Sequence, residues 1–134
     1  MQNINHECYV SLEVAKLLKK AGCDWKLNSR WQDWGGKNPH EFILKTDLLY
    51  ADGPAEYDGF HALPSPTLDV AQRWLREVKN VDVFAYRNEP KDKFESIVSV
   101  NKKWSTTGMC INTYEEALET AIKKALEMIL EKGE

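Results

Sequence analysis

Between Ser65 and Trp104 a helix-forming segment hands over, almost without a linker, to two strand-like runs. Few architectures accommodate that order. Ser65 is placed to cap the helix, with Pro66 at the first helical position, where its missing N–H costs nothing; Thr67 is the alternative cap. Leu68, Ala71, Trp74 or Leu75, and Val78 recur at helical spacing and predict a buried stripe on a helix that runs to about Lys79. Val81, Val83 and Ala85 then alternate with Asp82, Phe84 and Tyr86, as in a strand with two unlike faces. Asn88 to Asp92 is polar and contains Pro90, which makes it a turn. Phe94, Ser96, Val98 and Val100 alternate with Glu95, Ile97 and Ser99 in the second run. A helix followed this abruptly by two short β runs predicts an α+β domain with an antiparallel sheet.

Two further helices flank this unit. The first has Ser11 as N-cap, Glu13 at the positive end of the helix dipole, and Gly22 as its stop. Its apolar positions are Leu12, Val14, Ala15, Leu17, Leu18 and Ala21; Lys16, Lys19 and Lys20 fall outside the stripe as a solvated face. The last helix opens on a capping box, Thr113 with Glu116. Leu118, Ala121, Ile122, Ala125, Leu126, Ile129 and Leu130 keep a 3.6-residue period, and Glu119 with Lys123 forms a favourable pair one turn apart. Met109 to Ile111 reads as a third short strand, and Trp104 as a packing residue after the second. The expected architecture is therefore α+β: three main helices on a small antiparallel sheet of three or four strands, in one domain spanning 1–134. A chain of 134 residues can bury roughly two thirds of its extended surface, which is enough for one core.

Residues 24–64 are the hardest to read. They hold Trp25, Trp31, Trp34, the Gly35-Gly36 pair and three of the five prolines. Phe42 to Tyr50 fits a strand or a short helix equally well, and Ala51 to Pro54 is a turn. A structureless connection of this length is unusual inside a domain, so at least one regular element is expected here.

Charge narrows the range of functions. Eighteen basic and 21 acidic residues give a net charge of −3, and neither half of the chain hides a strong field. A protein that binds by neutralising phosphates usually carries more positive charge, so non-specific nucleic-acid binding is disfavoured. No apolar run reaches the roughly 18 residues of a membrane span, and Met1–Tyr9 lacks a signal-peptide layout. Cys8, Cys23 and Cys110 are odd in number and dispersed, which suits reduced thiols in a cytoplasmic setting.

Candidate chemistry is sparse. His6 and Cys8 could supply two metal ligands, but no second close pair accompanies them, and structural zinc wants four ligands. Cys110 with His61 is the one thiol–imidazole pairing to consider, since such partners meet in space and not in sequence. Gly35-Gly36-Lys37 lacks the spacing of a phosphate loop. No catalytic set, metal or cofactor is expected. Trp31 and Trp34, with Arg30, Lys37 and Tyr57, could form an aromatic, mildly basic surface for a glycan, a base or a peptide; tryptophans in such a segment also serve as anchors to the core. The helix and hairpin together suggest a second reading, a winged-helix nucleic-acid reader. In it, Gln72, Arg73, Arg76, Arg87, Lys91, Lys93, Lys102 and Lys103 would face phosphates. Residues 66–103 carry 8 basic and 6 acidic groups, a small excess.

The order of three motifs resembles small phage- or prophage-borne bacterial proteins of uncharacterised function. The motifs are Tyr9-Val10-Ser11-Leu12-Glu13 leading to Ala15-Lys16-Leu17-Leu18, Pro66-Thr67-Leu68 leading to Ala71-Gln72-Arg73-Trp74-Leu75-Arg76-Glu77, and Thr113-Tyr114-Glu115-Glu116-Ala117-Leu118. The likeness covers the helices and the hairpin, about two thirds of the chain, and excludes Trp25 to Tyr57. It implies a mobile-element origin and assigns no residue a role. The leading expectation is a non-enzymatic accessory protein that contacts another protein through Trp31, Trp34, Tyr57 and His61 together with the exposed Arg73 and Arg76. The alternatives are nucleic-acid binding through the 65–79 helix and 81–101 hairpin, and small-ligand or glycan binding at the Trp-rich 25–57 segment.

Overall fold

The computed structural model describes residues 9–25, 30–33, 43–45, 56–57, 60–106 and 111–131. Helix α1 covers Leu12–Lys20. Ser11 caps it in extended conformation, its hydroxyl accepting from the Val14 N–H at 3.2 Å. Gly22 ends it at φ +93°, a left-handed conformation that glycine enters without steric cost.

Strands β1 (Arg30–Asp33), β2 (Ile43–Lys45), β3 (Glu56–Tyr57) and β4 (Phe60–Pro64) form an antiparallel sheet in the order β2-β1-β4-β3. This sheet occupies the stretch least legible in the sequence; within the Phe42–Tyr50 run Ile43–Lys45 is a strand, and the rest of that run lies outside the described residues.

Helix α2 covers Leu68–Val78 and starts later than the proline suggested, with Thr67 at the cap instead of Ser65. The reason lies in the backbone. Pro64 completes β4, Ser65 is buried, the Pro66 carbonyl accepts from the Val10 N–H at 3.0 Å, and Thr67 bridges Tyr9. Tertiary pairing holds these residues extended until Thr67 can turn the chain. Val78, expected inside, is 50% exposed, because the stripe closes on Leu68, Ala71, Trp74 and Leu75.

Asn80, at φ 58°, turns the chain from α2 into β5 (Val81–Asn88), an αL role that asparagine tolerates. β5 pairs antiparallel with β6 (Lys93–Val100), and β6 with β7 (Lys103–Thr106), giving a three-stranded meander. The third strand of the meander is Lys103–Thr106; of the expected Met109–Ile111 run, Ile111 bridges antiparallel to Phe94, and Met109 and Cys110 lie outside the described residues.

Helix α3 covers Tyr114–Glu131, and the Thr113 hydroxyl accepts from the Glu116 N–H at 3.1 Å as a capping box requires. It packs against β5, β6, α1 and α2, while α1 packs on α3 and β4. Lys123 makes its direct ion pair outside the helix, and Glu119, the partner expected one turn away, adds a weaker favourable charge interaction. The Lys123 ammonium lies 2.9 Å from Glu13 on α1, and Glu119 accepts from the Ser11 N–H at 2.6 Å. The two residues clamp α1 to α3.

One continuous core joins the sheets and helices: Val14, Ala15 and Leu18 from α1, Leu63 from β4, Ala71, Trp74 and Leu75 from α2, Val83 and Val98 from the meander, and Ile122, Ala125 and Leu126 from α3. Ser96 is one of three buried polar residues among those described, with Ser65 and Ser99. The Ser96 hydroxyl donates to the Ala117 carbonyl at 2.6 Å, tying β6 to the first turn of α3 without leaving that hydroxyl unpaired. Among the described residues no helix is long and apolar enough to cross a membrane.

Cys23 is a free, buried thiol, and burial, more than any neighbour, pushes its pKa from 9.0 up to about 11. Thiolate is the reactive form, so Cys23 is expected to resist iodoacetamide at neutral pH in the native state and to react once urea unfolds the chain. The raised value also fixes a sign. Stability from this thiol is fully present below pH 9, where both states hold the proton, and is lost as pH rises towards 11, because only the unfolded chain ionises in that window. Denaturation midpoints of wild type and Cys23→Ser across pH 8–11 check it: the wild type should lose stability over that window more steeply.

Candidate binding surface

The register of the meander sorts its side chains. Val81 opposite Val100, Val83 opposite Val98 and Ala85 opposite Ser96 face the helices. The alternate positions make an outer face of cross-strand rows: Asp82, Ser99 and Trp104; Phe84, Ile97 and Thr106; Tyr86 and Glu95; Asn88 and Lys93. No described helix packs on this side.

Aromatic side chains dominate the outer face. Trp104 is 64% exposed and Tyr86 44%. The Phe84 and Trp104 rings meet edge-to-face, centroids 5.2 Å apart at 82°, with Ile97 buried beside Phe84 in its row. This corrects the reading of Trp104 as a packing residue: its backbone belongs to an edge strand and its indole stands in solvent. Further along, the Tyr86 hydroxyl donates to Glu95 Oε1 at 2.9 Å and Asn88 Nδ2 to Glu95 Oε2 at 2.6 Å. These bonds, that from Asn88 foremost, hold the Glu95 carboxyl below its usual range, so it is an anion at neutral pH.

At the other end, Asn80, Asp82, Ser99, Asn101, Lys102 and Trp104 line an open depression of about 600 Å³. Three of the six have left-handed backbones: Asn80 (φ 58°), Asn101 (φ 53°) and Lys102 (φ 67°). Asn101 and Lys102 are the two-residue loop joining β6 to β7, and positive φ at both positions defines a type I′ turn, whose preferred sequence is Asn-Gly. Lysine in the second place carries the Cβ penalty of the left-handed region, about 1–2 kcal/mol. Lys102→Gly is accordingly expected to raise unfolding free energy by about 1 kcal/mol, the gain being reduced by glycine's greater freedom in the unfolded chain. Urea titration of the two proteins measures it.

The edges of the meander differ. On β5, Gln72 of α2 reaches in and its Nε2 donates to the Val83 carbonyl at 2.6 Å. Gln72 thus faces inward, contrary to its place in the outward, phosphate-facing set. β7 has no such cover among the described residues, and all four of its residues are exposed. Phe94 exchanges both backbone bonds with Ile111, which fixes the parity of β6: Val98 and Val100 bond across to Ser105 and Lys103. The N–H and C=O groups of Trp104 and Thr106 therefore point out of the sheet.

Three of the residues singled out from sequence lie in the four-stranded sheet. Trp31 lies in β1, opposite Leu44 and Leu63; Tyr57 lies in β3 opposite Phe60; His61 lies in β4 between Asp33 and Glu56. The register sets the Trp31 and Tyr57 partners three positions apart on β4. Trp34, His6, Cys8, His40 and Cys110 lie outside the described residues. Arg73 and Arg76 are exposed on α2; the Arg73 guanidinium sits 5.4 Å over the Trp25 ring and 3.8 Å from the Glu77 carboxylate. Among the described residues no three His, Cys, Asp or Glu side chains gather in a way that could hold a metal ion. What sequence reading missed was β7. The available signal was Asn101 in a two-residue gap between strand-forming runs, obscured by lysine standing where glycine is usual. Comparison of the chain with protein-family models, curated proteins and solved structures gives no match.

Proposed function

We propose that this chain is a non-enzymatic accessory protein, of phage or prophage origin, that acts by binding another protein along the open edge of β7. The observation supporting this reading is an edge that no described element covers, where the Trp104 and Thr106 backbone groups are turned outward beside a mostly exposed indole. Such an edge accepts an extended segment as an added strand, with main-chain bonds giving affinity. Charge supports the choice of occupant. Lys102 and Lys103 adjoin the edge, neither engages an acid among the described residues, and β7 carries no carboxylate. An acidic extended segment fits; a second copy would bring lysines against lysines, the device by which edge strands avoid one another. The resemblance of the three helix motifs to phage-borne proteins supports the origin.

The test uses a synthetic peptide of alternating glutamate and threonine. Its binding should slow hydrogen exchange at the Trp104 and Thr106 amides by tenfold or more. Thr106→Pro, which removes one outward donor and spares the β6 ladder, should abolish that protection. Unchanged exchange at both amides, or a concentration-dependent dimer in light scattering that Thr106→Pro dissolves, would overturn the reading.

A further inference from the structure

The depression at the turn end of the outer sheet face goes beyond an edge-strand partner. We infer that it is a binding site for a neutral saccharide, stacked on Trp104 and hydrogen-bonded by Asp82, Asn101 and Lys102.

The argument begins with unspent hydrogen-bonding capacity. The side chains of Asn80, Asp82, Ser99, Asn101 and Lys102 make no hydrogen bond or ion pair with another described residue, yet all five converge on one depression with Trp104. Ser99 is the telling member. It is 8% exposed and lines this opening. It forms a floor between Asp82 on one side and Trp104 on the other, in a single cross-strand row.

The backbone that carries three of these polar side chains is also set. Asn80, Asn101 and Lys102 sit on left-handed backbones that few residues adopt, and strain of this kind persists where the surroundings enforce it. Groups fixed before binding lose less freedom on binding. Lysine at the second position of the Asn101-Lys102 turn costs stability where glycine would not, and a ligand contact from its ammonium gives that residue a use.

Chemistry selects the ligand class. A pyranose offers one apolar C–H face and a rim of vicinal hydroxyls, each both donor and acceptor. The exposed indole, its flank braced by Phe84, supplies a flat apolar platform. Around it stand an anionic acceptor, a cationic donor, two amides and a hydroxyl, able to serve hydroxyls in either sense. Asp82 and Lys102 cancel in charge. A nucleic-acid strand would meet the Asp82 and Glu95 carboxylates on the same face, which disfavours phosphate. An apolar ligand would strand five polar groups. The volume suits one or two sugar rings, and the open shape suits millimolar affinity.

The experiment follows the indole Nε–H resonances by NMR. There are five tryptophans, and the Trp104 signal is the one missing from Trp104→Phe. The probes are methyl glycosides of glucose, galactose, mannose and N-acetylglucosamine, with maltose, cellobiose and lactose. At least one should shift the Trp104 signal saturably. Trp104→Ala should abolish binding with little change in thermal midpoint, Asp82→Asn should weaken it about tenfold or more, and Thr106→Pro should leave it intact. No saturable shift with any sugar, a shift in which Asp82→Asn binds as tightly as wild type, or displacement of the Trp104 signal by oligouridylate instead, would overturn the inference.

Discussion

Trp74→Ala is expected to lower the free energy of unfolding by about 3–5 kcal/mol. Trp74 is 1% exposed on α2, the bulkiest fully enclosed side chain among those described, and it stands in the core with Leu75, Ala71 and residues of the meander. Its removal leaves a large hole walled by elements already committed to other contacts, so collapse recovers little. The Lys79 ammonium, 5.7 Å from the ring centroid, loses its aromatic partner in the same step. Domains of this size are commonly stable by only 5–15 kcal/mol, so the variant should show a large drop in urea midpoint at an unchanged slope. Trp104→Ala is the matched control. Its ring is mostly exposed, and the expected change is a few tenths of a kcal/mol plus the small edge-to-face term with Phe84. Two tryptophans that look alike in sequence should behave oppositely.

Leu126→Ala should cost about 2–5 kcal/mol and loosen elements on both sides of α3. Leu126 is fully buried one turn after Ile122, on the helix that touches α1, α2, β5 and β6. A cavity there is shared by several elements, none of which can move into it without leaving another. Hydrogen exchange gives the sharper measurement. Amides of α1 and of β5 should lose protection together, although no direct packing between them is needed to explain it. If only α3 amides speed up, Leu126 is a local packing residue and α3 does not hold the core together.

The helices and the β5–β6 hairpin were legible because each carries its own period: Leu118 to Leu126 repeats at helical spacing, and Val81 to Ala85 alternates. What escaped was decided by tertiary contacts. Pro66 looked like a helix start, but its carbonyl is held by Val10, and the cap moved to Thr67. Lys123 looked like a partner for Glu119, but α1 lies close enough to take both residues. The sheet formed by 30–64 escaped because its strands are two to five residues long, too short for alternation to register. The exposed indole with convergent polar groups is Trp104, brought beside Asp82 by the turn at Asn101-Lys102; the sequence points instead to Trp31 and Trp34, of which Trp34 lies outside the described residues.

The clasp of Ser11 and Glu13 by Glu119 and Lys123 sets a timetable for synthesis. The ribosome adds about 5–20 residues per second, so the 108 positions separating Ser11 from Glu119 correspond to roughly 5–20 s. Throughout that interval the greasy flank of α1, with Val14, Ala15 and Leu18, has no α3 to lie against. The nascent chain thus emerges with a sticky first helix waiting on its last one, and chaperones that hold such segments have their opening there.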